Sequence, residues 1–499
     1  MNRYRSAGLV IVLGMLFWGT SGPFVSTAQA QEGVEAQTRG PVHEAFAELV
    51  SSNPEPGIIV SKAPPQDIEE IPPEQKPEGE SIVWVPGYWA FDDDQSDFMW
   101  ISGIWRVPPP GYTWVPGYWT RVEAGYQWIA GFWSPVDTQT IDYLPPPPEN
   151  LDQGPSGPQL SPDSIWIPGS WYWTQGRYAW RPGYWLIARQ DWVWVPAHYV
   201  WTPSGYVFVD GHWDYPIRQR GILFAPVYIQ RSAYVRKSFF FSPSVVIDIG
   251  ALTAHLFARP RYEHYYFGDY YATTYAKRGI HPWFEIAAKR HRYDPIFAYA
   301  QWQHRRDDPH WGERLRVEYK SRQDNPALRP ARTFTSMRTL QPKIERLPER
   351  DRRNLLIARS FKDLTAGKNL PMRFERLPQE HRQKFVTQEK EFSKFSNQRS
   401  KWELQGGKTN KGGNVFSRQN VKIPAYVFTK KPGDIKNRMI APPPKPLMPK
   451  FDTNIKPRVS QGFRTDTTIK PRTDSNIKPK SRRQEDQPSK DKHDARPRR

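Results

Sequence analysis

The chain has 499 residues, including 51 Pro, 22 Trp, 24 Tyr, 25 Phe and no Cys. Proline at twice its usual share of about 5% excludes a protein dominated by long unbroken helices. The lack of Cys excludes a disulfide scaffold, a thiolate metal site, a Cys nucleophile and a lipid-modified N-terminal Cys. The formal charge of +20 is unevenly placed: residues 31–220 hold 10 Lys/Arg and 24 Asp/Glu, whereas residues 221–499 hold 59 and 27. An acidic front and a basic back point to two partners or to an internal attraction.

Arg3 and Arg5 precede the apolar run Leu9–Trp18, and Ala28-Gln29-Ala30 follows it with small residues at alternate positions. These parts predict a signal peptide, residues 1–30, cleaved after Ala30, and an exported chain located in the periplasm, cell envelope or extracellular space. No later run of 18 apolar residues occurs, so no transmembrane helix is expected after cleavage, and peripheral membrane contact stays open. Residues 31–81 read as an acidic Pro-rich linker with a short helix.

A repeat fills the next stretch. The hexamer Trp84-Val85-Pro86-Gly87-Tyr88-Trp89 has counterparts starting at Trp100, Trp114, Trp128, Trp166, Trp180, Trp194 and Phe208. The starts are 16, 14, 14, 38, 14, 14 and 14 residues apart. Block one is therefore 82–133, a Pro-rich insert is 134–163, and block two is 164–213. Residues i and i+2 share a face of a strand, so Tyr112 and Trp114 point together, whereas Trp119 has the opposite parity. A bulge at Pro116-Gly117 would restore it. One strand and one turn per repeat then predict an antiparallel meander. The alternative is that Pro-Gly is itself the turn, giving two short strands per repeat. The repeat aromatics, those at the hexamer ends and those two residues before, serve either as core or as a stacking platform for sugar rings, with Tyr112, Trp114, Trp119, Tyr126, Trp128, Trp133, Tyr178, Trp180 and Trp185 as the candidate ligand-stacking residues.

Tyr112-Thr113-Trp114-Val115-Pro116-Gly117-Tyr118-Trp119 resembles the YXWGXW repeat family of bacterial exported proteins. The resemblance covers residues 82–213 and implies an exported, repeat-bearing envelope protein. It brings no activity, substrate or catalytic residue. Ala197 in place of Gly, Tyr199 in place of the final Trp and Phe208 in place of the first Trp depart from the pattern.

Residues 214–330 form a Tyr/His-rich mixed α/β region. Strands are expected at 223–228, 234–241 and 245–247, and a short helix from Gly250 through Ala258. Asp294-Pro295 and Asp308-Pro309 read as N-caps of helices over 297–304 and 311–322. The chemical motifs GxGxxG, P-loop, GxSxG and HExxH are all missing, so no enzyme, cofactor or metal is expected. Weaker readings are a metal at His198 and His212 with Asp210 and Asp214, or at His281, His291, His304 and His310. Others are Ca²⁺ on the acidic loop Asp92–Asp97, and acid–base chemistry at Glu263, His264 or Asp269. The basic region 331–404 predicts helices at 350–364 and 378–404. Phe385, Phe392, Phe395 and Trp402 form an apolar seam on the second, able to pair copies in an oligomer.

Residues 405–499 read as a disordered basic tail. Three Ile-Lys-Pro-Arg/Lys repeats give candidate polyanion-binding residues Lys456, Arg458, Lys470, Arg472, Lys478 and Lys480. The fold class expected is mainly β: an antiparallel meander of short Trp-rich repeats in two blocks of four, then a mixed α/β region, basic helices and a disordered tail. The function expected is that of a non-enzymatic envelope or cell-surface structural or interaction protein whose tail tethers to anionic envelope polymers. The alternative is a module binding cell-wall polysaccharide or exopolysaccharide through exposed repeat aromatics. Regular aromatic interleaving is missing from the tail, so no specific nucleic acid is expected as a partner.

Overall fold

Val, Ile, Tyr and Trp flank each Pro-Gly step, a composition that favours strands interrupted at one point. The computed structural model describes residues 31–406 (without 52–53, 80, 156, 237, 289–292 and 368–371), 442–452 and 455. Within it, successive repeats close on each other in pairs. Hairpin one pairs Val83–Val85 with Ile104–Arg106 and Tyr88–Asp92 with Asp97–Ile101. Hairpin two pairs Tyr112–Val115 with Phe132–Pro135 and Tyr118–Val122 with Gly125–Ile129. Hairpin three pairs Ser164–Ile167 with Tyr184–Ile187 and Ser170–Thr174 with Arg177–Arg181. Hairpin four pairs Val193–Val195 with His212–Asp214 and His198–Thr202 with Gly205–Val209.

Each repeat therefore supplies two short strands, yet Pro-Gly is neither the turn nor a bulge. In hairpin two, Trp114 pairs with Trp133 and Trp119 with Trp128 in one continuous register. Pro116-Gly117 lies opposite Ala130-Gly131, so both arms gain the same two residues and no parity correction arises. Pairing between repeat strands stays within each repeat pair, and the meander resolves into four bent hairpins. The turns lie at the other repeat junctions: Gln175-Gly176, both at positive φ (50° and 74°), close hairpin three. The 16-residue spacing in block one falls in the four-residue turn Asp93–Ser96. Many short antiparallel strands followed by helices agree with the expected fold class.

The acidic entry segment is no linker. Val42, Ala45 and Phe46 have no exposed surface, and the main core cluster gathers around them with Trp114, Trp133, Phe267 and Trp283. No helix forms among the described residues of 31–81; His43–Ala47 is a turn. Apolar side chains outweigh the Pro-rich flanks here, because burying Val42 and Phe46 together contributes about 3–6 kcal/mol.

In the middle region, Gly40–Pro41, His264–Phe267, Leu256–Arg259 and His281–Pro282 form one sheet. Asp248 caps Ile249–Ala254 through Gly250 N and Ala251 N, and that helix ends before Leu256 because the next strand begins there. Arg231–Tyr234 is helical rather than extended, and only Phe240–Phe241 of the expected 234–241 strand forms. Asp294 caps Pro295–His304, accepting from Phe297 N at 2.8 Å. Asp308 does not cap: helix Trp311–Asp324 starts three residues later, and Trp311 N donates to the Asp308 carbonyl. The 350–364 segment divides into helices Glu349–Leu355 and Phe361–Ala366 around strand Ala358–Ser360, which pairs with Val245–Ile247.

The long helix Gln379–Gly406 turns its seam inward. Phe395 packs with Val115 and Phe132, Phe385 meets Trp105 edge-on at 5.3 Å, and Arg399 and Glu403 are fully buried as an ion pair. Hairpins one and two thus cover the face the sequence offered to a second copy. Among the described residues, no helix is long and apolar enough to cross a membrane.

Candidate binding cleft between the Trp-rich hairpins

Every hexamer's terminal aromatics meet across the strands. The pairs are Trp84–Trp105, Trp89–Trp100, Trp114–Trp133, Trp119–Trp128, Trp166–Trp185, Trp171–Trp180 and Trp194–Trp213. Their ring centroids are 5.0–5.6 Å apart, edge-to-face. Tyr199–Phe208 is the eighth pair, at 5.2 Å. The glycines make room for the first aromatic of the opposing hexamer. A Cβ on Gly117 would lie 2.5 Å from Cζ2 of Trp128, and one on Gly131 would lie 2.3 Å from Cζ2 of Trp114. Gly103, Gly169, Gly183 and Gly211 stand in the same relation to Trp84, Trp180, Trp166 and Trp194. The exception explains itself: Ala197, which carries a Cβ, faces the one hexamer that opens with the smaller Phe208. Departures from the motif are thus compensated, and hairpin four keeps the register of the others.

The breaks free backbone N–H groups, and carboxylates from outside the hairpins accept them. Glu70 accepts from Gly87 N and Gly103 N at 2.8 and 2.9 Å. Glu44 accepts from Trp128 Nε1 at 2.7 Å and Gly131 N at 3.1 Å. Asp152 accepts from Gly169 N at 2.9 Å. These three residues were not singled out in the sequence. A signal existed: Glu70 and Asp152 each lie 17 residues before the first repeat Gly of their block. Each also follows a Pro-Pro step, Pro64-Pro65 or Pro147-Pro148.

A cavity of about 470 Å³ opens at the breaks of hairpins one and two, lined by Tyr88, Trp89, Trp100, Trp119, Trp128, Pro86 and Pro116. His43, Glu44, Asp67 and Glu389 add polar groups, and Ser393, Ser396 and Asn397 of the long helix form one wall. Burial pushes Glu44 up to about 8 and Glu70 up to about 7. Glu389, buried beside Glu70, rises to about 9, and burial lowers His43 to about 4. Near neutral pH the lining is therefore weakly charged, suited to a neutral polar ligand with flat apolar faces.

Of the nine candidate stacking residues, Tyr112, Trp114, Trp128, Trp133, Tyr178 and Trp180 are buried, and Trp119, Tyr126 and Trp185 are half-buried. Trp119 and Trp128 border the cavity, and so does Trp114. The remaining six lie elsewhere. The six candidate polyanion-binding residues, Lys456, Arg458, Lys470, Arg472, Lys478 and Lys480, lie outside the described residues, as do the proposed signal peptide and His291.

The weaker chemical readings meet other partners. The acidic loop is neutralised by arginines: Asp94 by Arg39 and Arg278, and Asp93 by Arg259 at 2.7 Å. Despite partial burial, hydrogen bonds from Tyr275 and Arg39 hold Asp94 at about 2. His198 bonds Glu48 at 3.2 Å, and His212 packs against Tyr112 with ring centroids 4.4 Å apart. Asp214 binds Arg106 and Arg220 at 2.7 and 2.9 Å. His264 meets the Tyr88 hydroxyl at 2.8 Å, and Asp269 accepts from Arg332. Among the described residues, no cluster of three or more His, Asp or Glu is placed to hold a metal ion. A second cavity of about 510 Å³ has an apolar floor at Ile217, Ile296 and Trp283, and Arg218, Arg314 and Arg350 line it too.

Neither a curated protein nor a solved structure matches the chain. The family described as WXXGXW repeat (2 copies) matches residues 83–106, 110–133, 165–185 and 189–213. Each match coincides with one hairpin, so the two-copy unit is the structural unit. Over those four stretches the chain is similar to the WXXGXW repeat family.

Proposed function

We propose that the protein is a non-enzymatic, exported envelope or cell-surface interaction protein, with the hairpins as a rigid scaffold and the basic back as a tether to anionic polymers. The supporting observation is where the charges go. Carboxylates of the front half pair within the chain, as at Asp93, Asp94 and Asp214, or accept buried amides, as at Glu44 and Glu70. Lys343, Arg346, Arg373, Arg376, Lys384 and Lys401 of the back half are exposed. These described cations face solvent, and the tail residues Lys456, Arg458, Lys470, Arg472, Lys478 and Lys480 extend the positive charge in sequence. Replacing those six with Gln in the full chain is expected to weaken retention on isolated cell envelopes and to flatten its salt dependence. Six to ten phosphate-like contacts lose about 10³-fold or more in affinity between about 50 and 200 mM salt. Unchanged retention and slope would remove the tether.

The aromatic cavity favours a second reading, a neutral saccharide held between hairpins one and two. Trp119 is half-buried there, and Glu44 and Glu389 carry little charge near neutral pH. Addition of wall polysaccharide or exopolysaccharide should then quench Trp fluorescence, and no change across a panel of them counts against this reading.

A further inference from the structure

Residues 442–452, Pro-Pro-Pro-Lys-Pro-Leu-Met-Pro-Lys-Phe-Asp, belong by composition to the disordered tail. They instead lie along hairpins three and four. The Arg181 guanidinium lies 4.3 Å from the Phe451 ring and 4.1 Å from the Tyr172 ring, and the two rings meet edge-on at 5.8 Å. Asp452 N donates to Trp180 O at 2.9 Å, in an antiparallel bridge. Trp213 Nε1 donates to Pro444 O at 3.3 Å, and Lys445 meets Asp210 at 2.6 Å. Five consecutive structural features of an extended Pro-rich ligand are thus read: a carbonyl, a cation, a thioether at Met448 beside Tyr172, an aromatic ring and a backbone amide.

The same grip recurs inside the chain. Trp89 Nε1 donates to Gln66 O, immediately after Pro64-Pro65, and Trp171 Nε1 donates to Glu149 O, immediately after Pro147-Pro148. In all three cases the donor is the last Trp of a hexamer. A Pro-rich chain is already extended and loses little entropy on docking, and its free carbonyls suit indole donors. The entry segments continue directly into their hairpins. Residues 442–452 differ: 35 residues separate Gly406 from Pro442, and none of the eleven is buried, with Leu447 99% exposed. The seat is shallow, with Met448 half-buried against the cluster of Ile167, Trp194 and Trp213, and the connection in sequence is long.

We propose that the aromatic face of hairpins three and four is a docking groove for this Pro-rich segment, and that it accepts the segment from a second copy of the chain as well as from its own. Copies would then join by strap exchange rather than through the buried seam of the long helix. Connection in cis gives an effective concentration of about 1 mM, so exchange in the natural chain requires high local protein density, as on a crowded surface.

Two full-length variants separate the parts. Phe451→Ala with Met448→Ala spoils the strap and leaves the groove; Arg181→Ala with Tyr172→Ala spoils the groove and leaves the strap. Mixing them should give a 1:1 complex by light scattering, with each variant alone monomeric. A fluorescent peptide of residues 442–455 should bind the strap variant at least tenfold tighter than it binds the natural chain, and should not bind the groove variant. The strap variant changes only half-buried residues of the segment itself, so its peptide arm stands even if the groove variant fails to fold. Lack of peptide binding to a folded strap variant overturns the groove. Peptide binding without a 1:1 complex overturns exchange between copies.

Discussion

Gly131→Ala tests the physical content of the repeat. Its Cβ would lie 2.3 Å from Cζ2 of Trp114 and 2.6 Å from the Val115 carbonyl. The indole must retreat by about 1.1 Å to reach a normal 3.4 Å contact. That movement disturbs the Trp114–Trp133 edge-to-face pair, now at 5.2 Å. Such a pair contributes about 0.5–1.5 kcal/mol, and overpacking a tight site costs about 1–3 kcal/mol. Reduced freedom of the unfolded chain returns about 0.4–1 kcal/mol. The expected net loss is about 2 kcal/mol. Trp114→Phe should relieve much of it, because Ala197 opposite Phe208 is that combination already in place. Urea unfolding of the single and double variants, followed by near-ultraviolet circular dichroism, gives the coupling. A favourable coupling of about 1 kcal/mol or more is expected. A loss below about 0.5 kcal/mol, or additive single effects, would refute the claim that indole clearance dictates the glycine.

Other outcomes follow from the buried charges. Arg399 is buried against Glu403 and donates to the Pro116 and Ala130 carbonyls. Arg399→Met leaves Glu403 uncompensated beside Tyr118 and Tyr143, which should cost about 3–5 kcal/mol and expose the long helix to protease; unchanged melting and cleavage would contradict this. Glu44, Glu70 and Glu389 have folded pKa values of about 8, 7 and 9, all above the unfolded 4.5. Their contribution is fully present below about pH 4.5 and is lost as pH rises through 7 to 9. The melting temperature should therefore fall between pH 5 and pH 9, and less steeply in Glu70→Gln; a flat or rising profile in the natural chain would show these carboxyls to be ordinary.

The sequence made the hairpins half legible. The aromatic–Pro-Gly–aromatic spacing announced β-structure and the clustering of 17 Trp between Trp84 and Trp213, but parity arguments treat each strand alone. The register depends on both arms: Pro116-Gly117 is matched by Ala130-Gly131, and a break shared by two strands leaves no trace in the period of one. Likewise Ala197 and Phe208 look like two separate losses of the motif until they face each other. The buried acids illustrate a different obstacle. Glu44 and Glu70 sit in a stretch whose composition suggests solvation, and what draws them in is the set of N–H groups left open by the breaks. An acid 17 residues ahead of a Gly becomes meaningful only once that Gly is known to be unpaired. Composition also misplaced residues 442–452, because Pro and Lys resemble a solvated tail unless a groove of indoles and an arginine is present to receive them. The repeat therefore does two jobs with one geometry. The first Trp of seven of the hexamers locks the hairpin against a glycine, and the last Trp, in three of the hexamers, turns its indole N–H outward to hold a Pro-rich strand.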